Sequence, residues 1–173
     1  MAALELVIEK NSKSLEGAKE IRALFRNREA FDAMTDSIFK QMVIKMNVNY
    51  TYNPRNGILN SIISSGKINQ LSNKKLKYLL ASIKEWTEDA LENTMKIERL
   101  RNELWYSTYE NARIIKDGKI IGFNWKSFYD TGSFRILTIS LFQNIRIGGL
   151  KEEIELKETL EHIIELINKE IGK

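Results

Sequence analysis

Apolar residues recur three and four positions apart over most of this chain, the spacing that gathers them on one face of an α-helix. Leu4, Val7, Leu15, Ala18, Ile21 and Phe25 open the pattern with Glu and Lys on the other faces, and predict a first helix. Asn11 and Gly17 weaken that helix without ending it. Phe31, Met34, Ile38, Met42 and Met46 continue at the same steps. No Gly or Pro marks a break at Arg26–Arg28, so the pattern leaves open whether a bend separates the two series. Phe31 and the methionines read as adaptable core filler.

Residues 47–73 interrupt the periodicity and predict a corner between long helices. "NVNYTYNPRNG" is rich in turn formers, and Pro54 biases Asn53 towards extended backbone. Ile58, Leu59, Ile62 and Ile63 make a two-turn apolar burst starting beside Gly57, and Gly66 can end it in the left-handed conformation. "KINQL" is extended or a turn. Ser72 or Asn73 then offers a side-chain oxygen to the first turn of a new helix. From Leu76 through Leu79, Leu80, Ile83, Trp86, Ala90, Leu91, Thr94, Ile97, Leu100, Leu104 and Trp105 to Thr108 the helical spacing holds without Gly or Pro. So long a rod needs comparably long partners over its apolar stripe.

An irregular connection is expected over 113–132. In "RIIKDGKIIGF", Asp117-Gly118 suits a type I′ turn between two Ile-Ile pairs, predicting a hairpin that lies on the helices and is anchored by Phe123, Trp125, Phe128 and Tyr129. Asp130, Thr131 or Ser133 can cap a last helical region that bends at Gly148-Gly149 and resumes through Leu150 to Ile171. These elements predict an all-α fold. It is an elongated antiparallel bundle of three to four long helices in a single domain, 1–173, with a small β-hairpin near 113–123.

Composition narrows this picture little. One proline in 173 residues suits long helices, and the absence of cysteine excludes disulfides, thiolate nucleophiles and Cys-ligated zinc. The longest near-continuous apolar run, "ILTISLF" at 136–142, is too short to span a bilayer. The net charge of +4 is uneven: residues 51–86 hold six basic side chains and one acid, while residues 151–173 hold four and seven. So modest a basic patch, Lys67, Lys74, Lys75, Lys77 and Lys84, is weaker than the wide basic face that nucleic acid favours. It fits a solvated surface better, with nucleic-acid association as the alternative.

Candidate chemistry is sparse. "SSGK" at 64–67 lacks the glycine spacing and strand context of a phosphate loop and reads as a helix-ending turn. His162 stands alone, so the paired Glu-x-x-His motifs of a di-metal bundle cannot form. No Gly-x-Ser-x-Gly elbow occurs. Glu152, Glu153 and Glu155 read as an acidic run near a helix start, favourable with the dipole. Asn49-Tyr50-Thr51 matches a glycosylation sequon by coincidence. No catalytic residue, metal ligand or cofactor is expected. Trp105 is expected to pack inward with Tyr106 and Tyr109 at the rim of the long helix; these three form a possible interaction surface, since exposed aromatics are favoured anchors, together with Lys74, Lys75 and Lys77. Pro54, Gly57, Gly66 and Asn73 are the structural corner.

Residues 52–86, "YNPRNGILNSIISSGKINQLSNKKLKYLLASIKEW", resemble the core motif of an uncharacterised family of bacterial membrane-anchored proteins, known only as a domain of unknown function. Tyr52 and Pro54, the apolar Ile58 to Ile63, Ser64-Ser65-Gly66, Ile68, Leu71, Asn73 and the leucines at 76, 79 and 80 carry the likeness. The resemblance implies a helical domain projecting from a membrane, on the extracytoplasmic (periplasmic) side, behind a basic N-terminus and one membrane helix absent from this chain. A chain complete as given would instead be a cytoplasmic relative. The function expected is a non-enzymatic interaction or sensing module with a protein partner or small ligand, able to form a homo-oligomer. Nucleic acid is the disfavoured partner.

Overall fold

The structure, a computed structural model, describes residues 1–172. In chain order it comprises α1 (Ala2–Leu24), α2 (Arg28–Ala33), α3 (Asp36–Met46), α4 (Gly57–Ser64), a 3-10 turn at Lys67–Gln70 and α5 (Lys74–Glu110). Strands β1 (Arg113–Lys116) and β2 (Lys119–Phe123) follow, then a 3-10 turn at Trp125–Phe128. The last rod is continuous: α6 (Gly132–Ile136), a π-helical stretch Leu137–Ile145 and α7 (Arg146–Ile171). α1 runs up, α3 and the chain after it run down, α5 runs up and the last rod runs down. The all-α bundle with a small hairpin is therefore what the chain forms. At 1.5 Å per residue, α5 alone is about 55 Å long.

The apolar series from Phe31 to Met46 is not one helix, because side-chain oxygens cap two separate starts. Asn27 accepts from the Ala30 amide (3.0 Å) and opens α2, while Thr35 accepts from the Ile38 amide (3.3 Å) and opens α3. The bend after Arg26 is thus real. Competition between a short polar side chain and the backbone ends a helix without Gly or Pro.

Asn11, Ser14 and Gly17 lie buried on one face of α1, where α3 ends. Ser14 Oγ donates to the Met46 carbonyl at 2.5 Å. A Cβ at Gly17 would stand 2.8 Å from the Met46 nitrogen, so only glycine admits this crossing. Gly17, which weakens α1 as an isolated helix, is the residue that lets α3 approach it, while Asn11 turns to the strap and to α7.

Three apolar clusters stack along the rod. The largest, at the wide end, joins Ile21, Phe31, Phe39, Val43, Met46, Ile97, Phe128, Phe134, Leu137 and Phe142. Tyr129 stacks on Phe31 (centroids 3.7 Å, 16° between planes) and its hydroxyl donates to the Leu24 carbonyl at 2.7 Å, so the phenol enters the core with its polar end satisfied. A middle cluster holds Leu4, Ala90 and Leu156, with Tyr52 and Trp86 against it. The narrow-end cluster holds Leu76, Ile83, Ile163 and Leu166. At the narrow end the α5–α7 seam is faced by the segment around α4, through Leu59 and Leu71.

Two sequence expectations about the last rod need correction. The helix is not interrupted at Gly148-Gly149; α7 is continuous from Arg146 to Ile171. A Cβ at Gly149 would meet Asn93 Cβ at 3.2 Å and one at Gly148 would meet Asn93 Nδ2 at 3.3 Å, so these glycines bring α7 close to α5. Nor do Glu152 and Glu153 lie near a helix start, because π and α turns precede them without a break. Through the π stretch the buried Phe134, Thr138, Phe142 and Arg146 recur at every fourth position, a wider turn than the α-helical spacing used in reading the sequence.

Candidate functional site

The residues expected to form an interaction surface do not come together. Lys74, Lys75 and Lys77 are in the first turn of α5 and Trp105, Tyr106 and Tyr109 near its last, roughly 45 Å apart along the helix. Trp105 packs edge-on against Phe128 (5.5 Å) and Tyr109 lies 4.3 Å from Phe123, so both belong to the wide-end core; Tyr106 is exposed. Lys77 Nζ donates to the Asn69 carbonyl at 2.9 Å and ties the 3-10 turn to α5, while Lys74 and Lys75 are exposed. Lys84 faces Glu88 at 3.8 Å.

The segment expected to be the corner divides into two parts. Residues 47–52 are no end-of-rod corner: they run as a strap beside the middle of the bundle. Tyr50 N donates to Asn11 Oδ1 and Asn11 Nδ2 to the Tyr50 carbonyl, both at 3.0 Å. Asn49 Nδ2 donates to the Thr94 carbonyl (3.2 Å) and Glu98 Oε2 (3.0 Å), which commits the sequon's amide to the fold. Past Pro54 and Gly57 the chain reaches the narrow end, where Gly66 takes a left-handed φ of 73°. Asn73 accepts from the Leu76 amide at 3.1 Å. Glu170 Oε1 accepts from Ser72 N (2.6 Å), Ser72 Oγ (2.6 Å) and Asn73 N (3.3 Å), joining the end of α7 to the start of α5.

The Ile/Leu burst of α4 is only partly covered: Leu59 packs on the narrow-end cluster and Ile63 is half-buried. None of its residues is buried, and Ile58 is 81% exposed. Between α4 and the ends of α5 and α7 lies a groove of about 470 Å³, walled by Leu59, Ile62, Leu71, Leu80 and Ile167 with Arg55 and Lys67 among its lining. A depression of similar size, about 460 Å³, is lined by Glu92, Met95, Lys96 and Arg99 of α5 alone and lacks converging apolar walls.

The hairpin stands at the opposite end. Asp117 (φ 50°) and Gly118 (φ 71°) make the expected turn, and the pairing shifts register between Ile114 and Ile115. Its root is fixed by Asn124 N donating to the Ala112 carbonyl at 2.8 Å and by Phe123 on Tyr109. Its isoleucines do not lie down on the helices: Ile114, Ile115, Ile120 and Ile121 are 44–64% exposed.

A buried polar node in mid-rod escaped the sequence reading. Arg146 Nη2 donates to Asn49 Oδ1 (2.6 Å) and the Val48 carbonyl (3.2 Å). Glu153 Oε1 accepts from Asn11 Nδ2 (2.7 Å) and Thr94 Oγ1 (3.1 Å). Burial pushes the Arg146 guanidinium down to about 10, opposed by Glu153 and reinforced by Arg101. Burial also raises the Glu153 carboxyl, against the hydrogen bonds from Asn11 and Thr94 and the charge of Arg146. These bonds reach the strap, α1 and α5 from α7, so the node fixes their axial registers. Its one sequence signal is that Arg146 and Glu153 fall on the stripe shared by Phe142, Gly149 and Leu156.

Among the described residues no group of three or more His, Cys, Asp or Glu side chains is placed to hold a metal ion, and no helix is long and apolar enough to cross a membrane. Compared with protein-family models, curated proteins and solved structures, the chain matches none.

Proposed function

We propose that this chain is a non-enzymatic interaction module that engages a protein partner through its hairpin. One observation carries the reading: four isoleucines of a two-stranded sheet stand exposed outside the three apolar clusters. A two-stranded sheet leaves the outer edge of each strand unpaired, and an apolar unpaired edge is a template for a further strand. Lys116 and Lys119 beside the turn favour a partner strand that carries acids. The resemblance of residues 52–86 to membrane-anchored bacterial proteins supports placing the module on the outer side of a bacterial membrane.

A photo-crosslinking side chain at Ile115, introduced in the native host, tests this. A discrete protein adduct is expected there and none from the same group at Ile164, an exposed isoleucine of α7. Replacing Ile114 and Ile120 with lysine should remove the adduct. Equal labelling at positions 115 and 164 refutes the reading.

A further inference from the structure

We infer that the narrow-end groove is a binding site for the hydrocarbon chain of a single-chain anionic amphiphile, with Arg55 and Lys67 receiving its carboxylate or phosphate. This goes beyond the hairpin reading and rests on the opposite end of the rod. Three observations meet at the groove. The first is shape: α4, the chain at Leu71 and the ends of α5 and α7 wall a concave space of about 470 Å³, within the few-hundred to thousand Å³ range of small-molecule sites.

The second is chemistry. The lining is aliphatic (Ile58, Leu59, Ile62, Leu71, Leu76, Leu80, Ile167 and Ile171), with no aromatic or amide group for a polar ligand to recognise. Long unbranched hydrocarbon suits such a wall, since apolar contact is its only attraction. The third is charge. Residues 37–84 contain no Asp or Glu, and Arg55 and Lys67 are in no ion pair among the described residues. The one acid in the lining, Glu170, holds the Ser72 and Asn73 amides. An anionic head group therefore meets two unpaired cations at the rim, while a cationic one meets repulsion.

Calorimetric titration with sodium laurate below its micelle concentration tests the site, with dodecyltrimethylammonium as the cationic counterpart of equal chain length. Saturable binding of one laurate per chain is expected, at least about tenfold tighter than the ammonium amphiphile. Arg55→Glu with Lys67→Glu, both exposed, should reverse that preference. Ile58→Asp with Ile62→Asp should abolish laurate binding while the thermal transition stays in place. The assignment fails if laurate does not saturate, if both amphiphiles bind alike, or if neither double variant changes binding. It also fails if the protein binds phosphatidylglycerol vesicles but not monomeric laurate, or if Ile58→Asp instead dissolves a dimer. A crosslink at Ile115 that persists while laurate fails would leave the hairpin reading intact.

Discussion

Arg146 and Glu153 stand two turns apart on the same face of α7, both buried, and each is held by separate partners rather than by the other. The guanidinium is bound through the strap at Val48 and Asn49, the carboxylate through Asn11 of α1 and Thr94 of α5. Opposite charges so placed compensate each other across a low-dielectric interior without contact, and each depends on the other's presence.

Glu153→Leu should destabilise the fold by about 1–3 kcal/mol, because it strands the buried Asn11 and Thr94 donors that its carboxylate accepts from. Arg146→Met combined with Glu153→Leu should cost less than the sum of the two single changes. Urea denaturation of the four proteins measures this; strict additivity would show that the charges do not interact.

The same residue sets a pH dependence. Burial holds the Glu153 carboxyl above its unfolded value, so the folded state keeps its proton more tightly. Its unfavourable contribution is absent below the ordinary carboxyl range and grows as pH rises through that range towards the folded value. Relative to wild type, Glu153→Gln should become progressively more stable between acid and neutral pH. A stability difference that does not change with pH would contradict the shift.

Gly17→Ala should lower stability by about 1–3 kcal/mol, although alanine is the better helix former by about 1 kcal/mol. The added Cβ would press on the backbone of Lys45 and Met46, which cannot rotate away. Gly57→Ala, with nothing within 4 Å of its Cβ, is the control and should be neutral or slightly stabilising. Equal denaturation midpoints for the two variants would remove the close crossing from the account.

Asn73→Ala should cost about 0.5–2 kcal/mol by stripping the cap from the Leu76 amide. Glu170→Ala should act at the same place, speeding hydrogen exchange at the Ser72 and Asn73 amides that its carboxylate accepts from. Unchanged exchange there in Glu170→Ala would mean that the two helix ends are not joined in solution.

Gly118→Val should melt the hairpin without moving the global transition. Gly118 sits at φ 71°, where a β-branched residue is strained, and the hairpin isoleucines lie outside the apolar clusters. A fall in global stability comparable to that of Gly17→Ala would show that the hairpin is built into the core.

How far the sequence could be read depended on the range of the interaction. The α5 rod, the Asp117-Gly118 turn, the Gly66 helix end and the Asn73 cap were all legible, because each rests on contacts within four residues along the chain. The breaks before α2 and α3 were harder: Asn27 and Thr35 cap those helices, but Asn and Thr occur inside helices too. That Trp105 packs inward was legible from the helical stripe, whereas the separation of the aromatics from the lysines follows from the length of α5.

The sequence alone determined the helical class, the long α5 and the punctuation between elements, because backbone preference and apolar periodicity are local properties. Only the tertiary structure decided that Arg146 and Glu153 meet Asn11, Asn49 and Thr94, that Gly17 and Gly149 serve close crossings, and that Ile58 of α4 and the hairpin isoleucines remain uncovered. Those outcomes depend on how the rods register, which follows from contacts between residues up to 142 positions apart that no local pattern encodes.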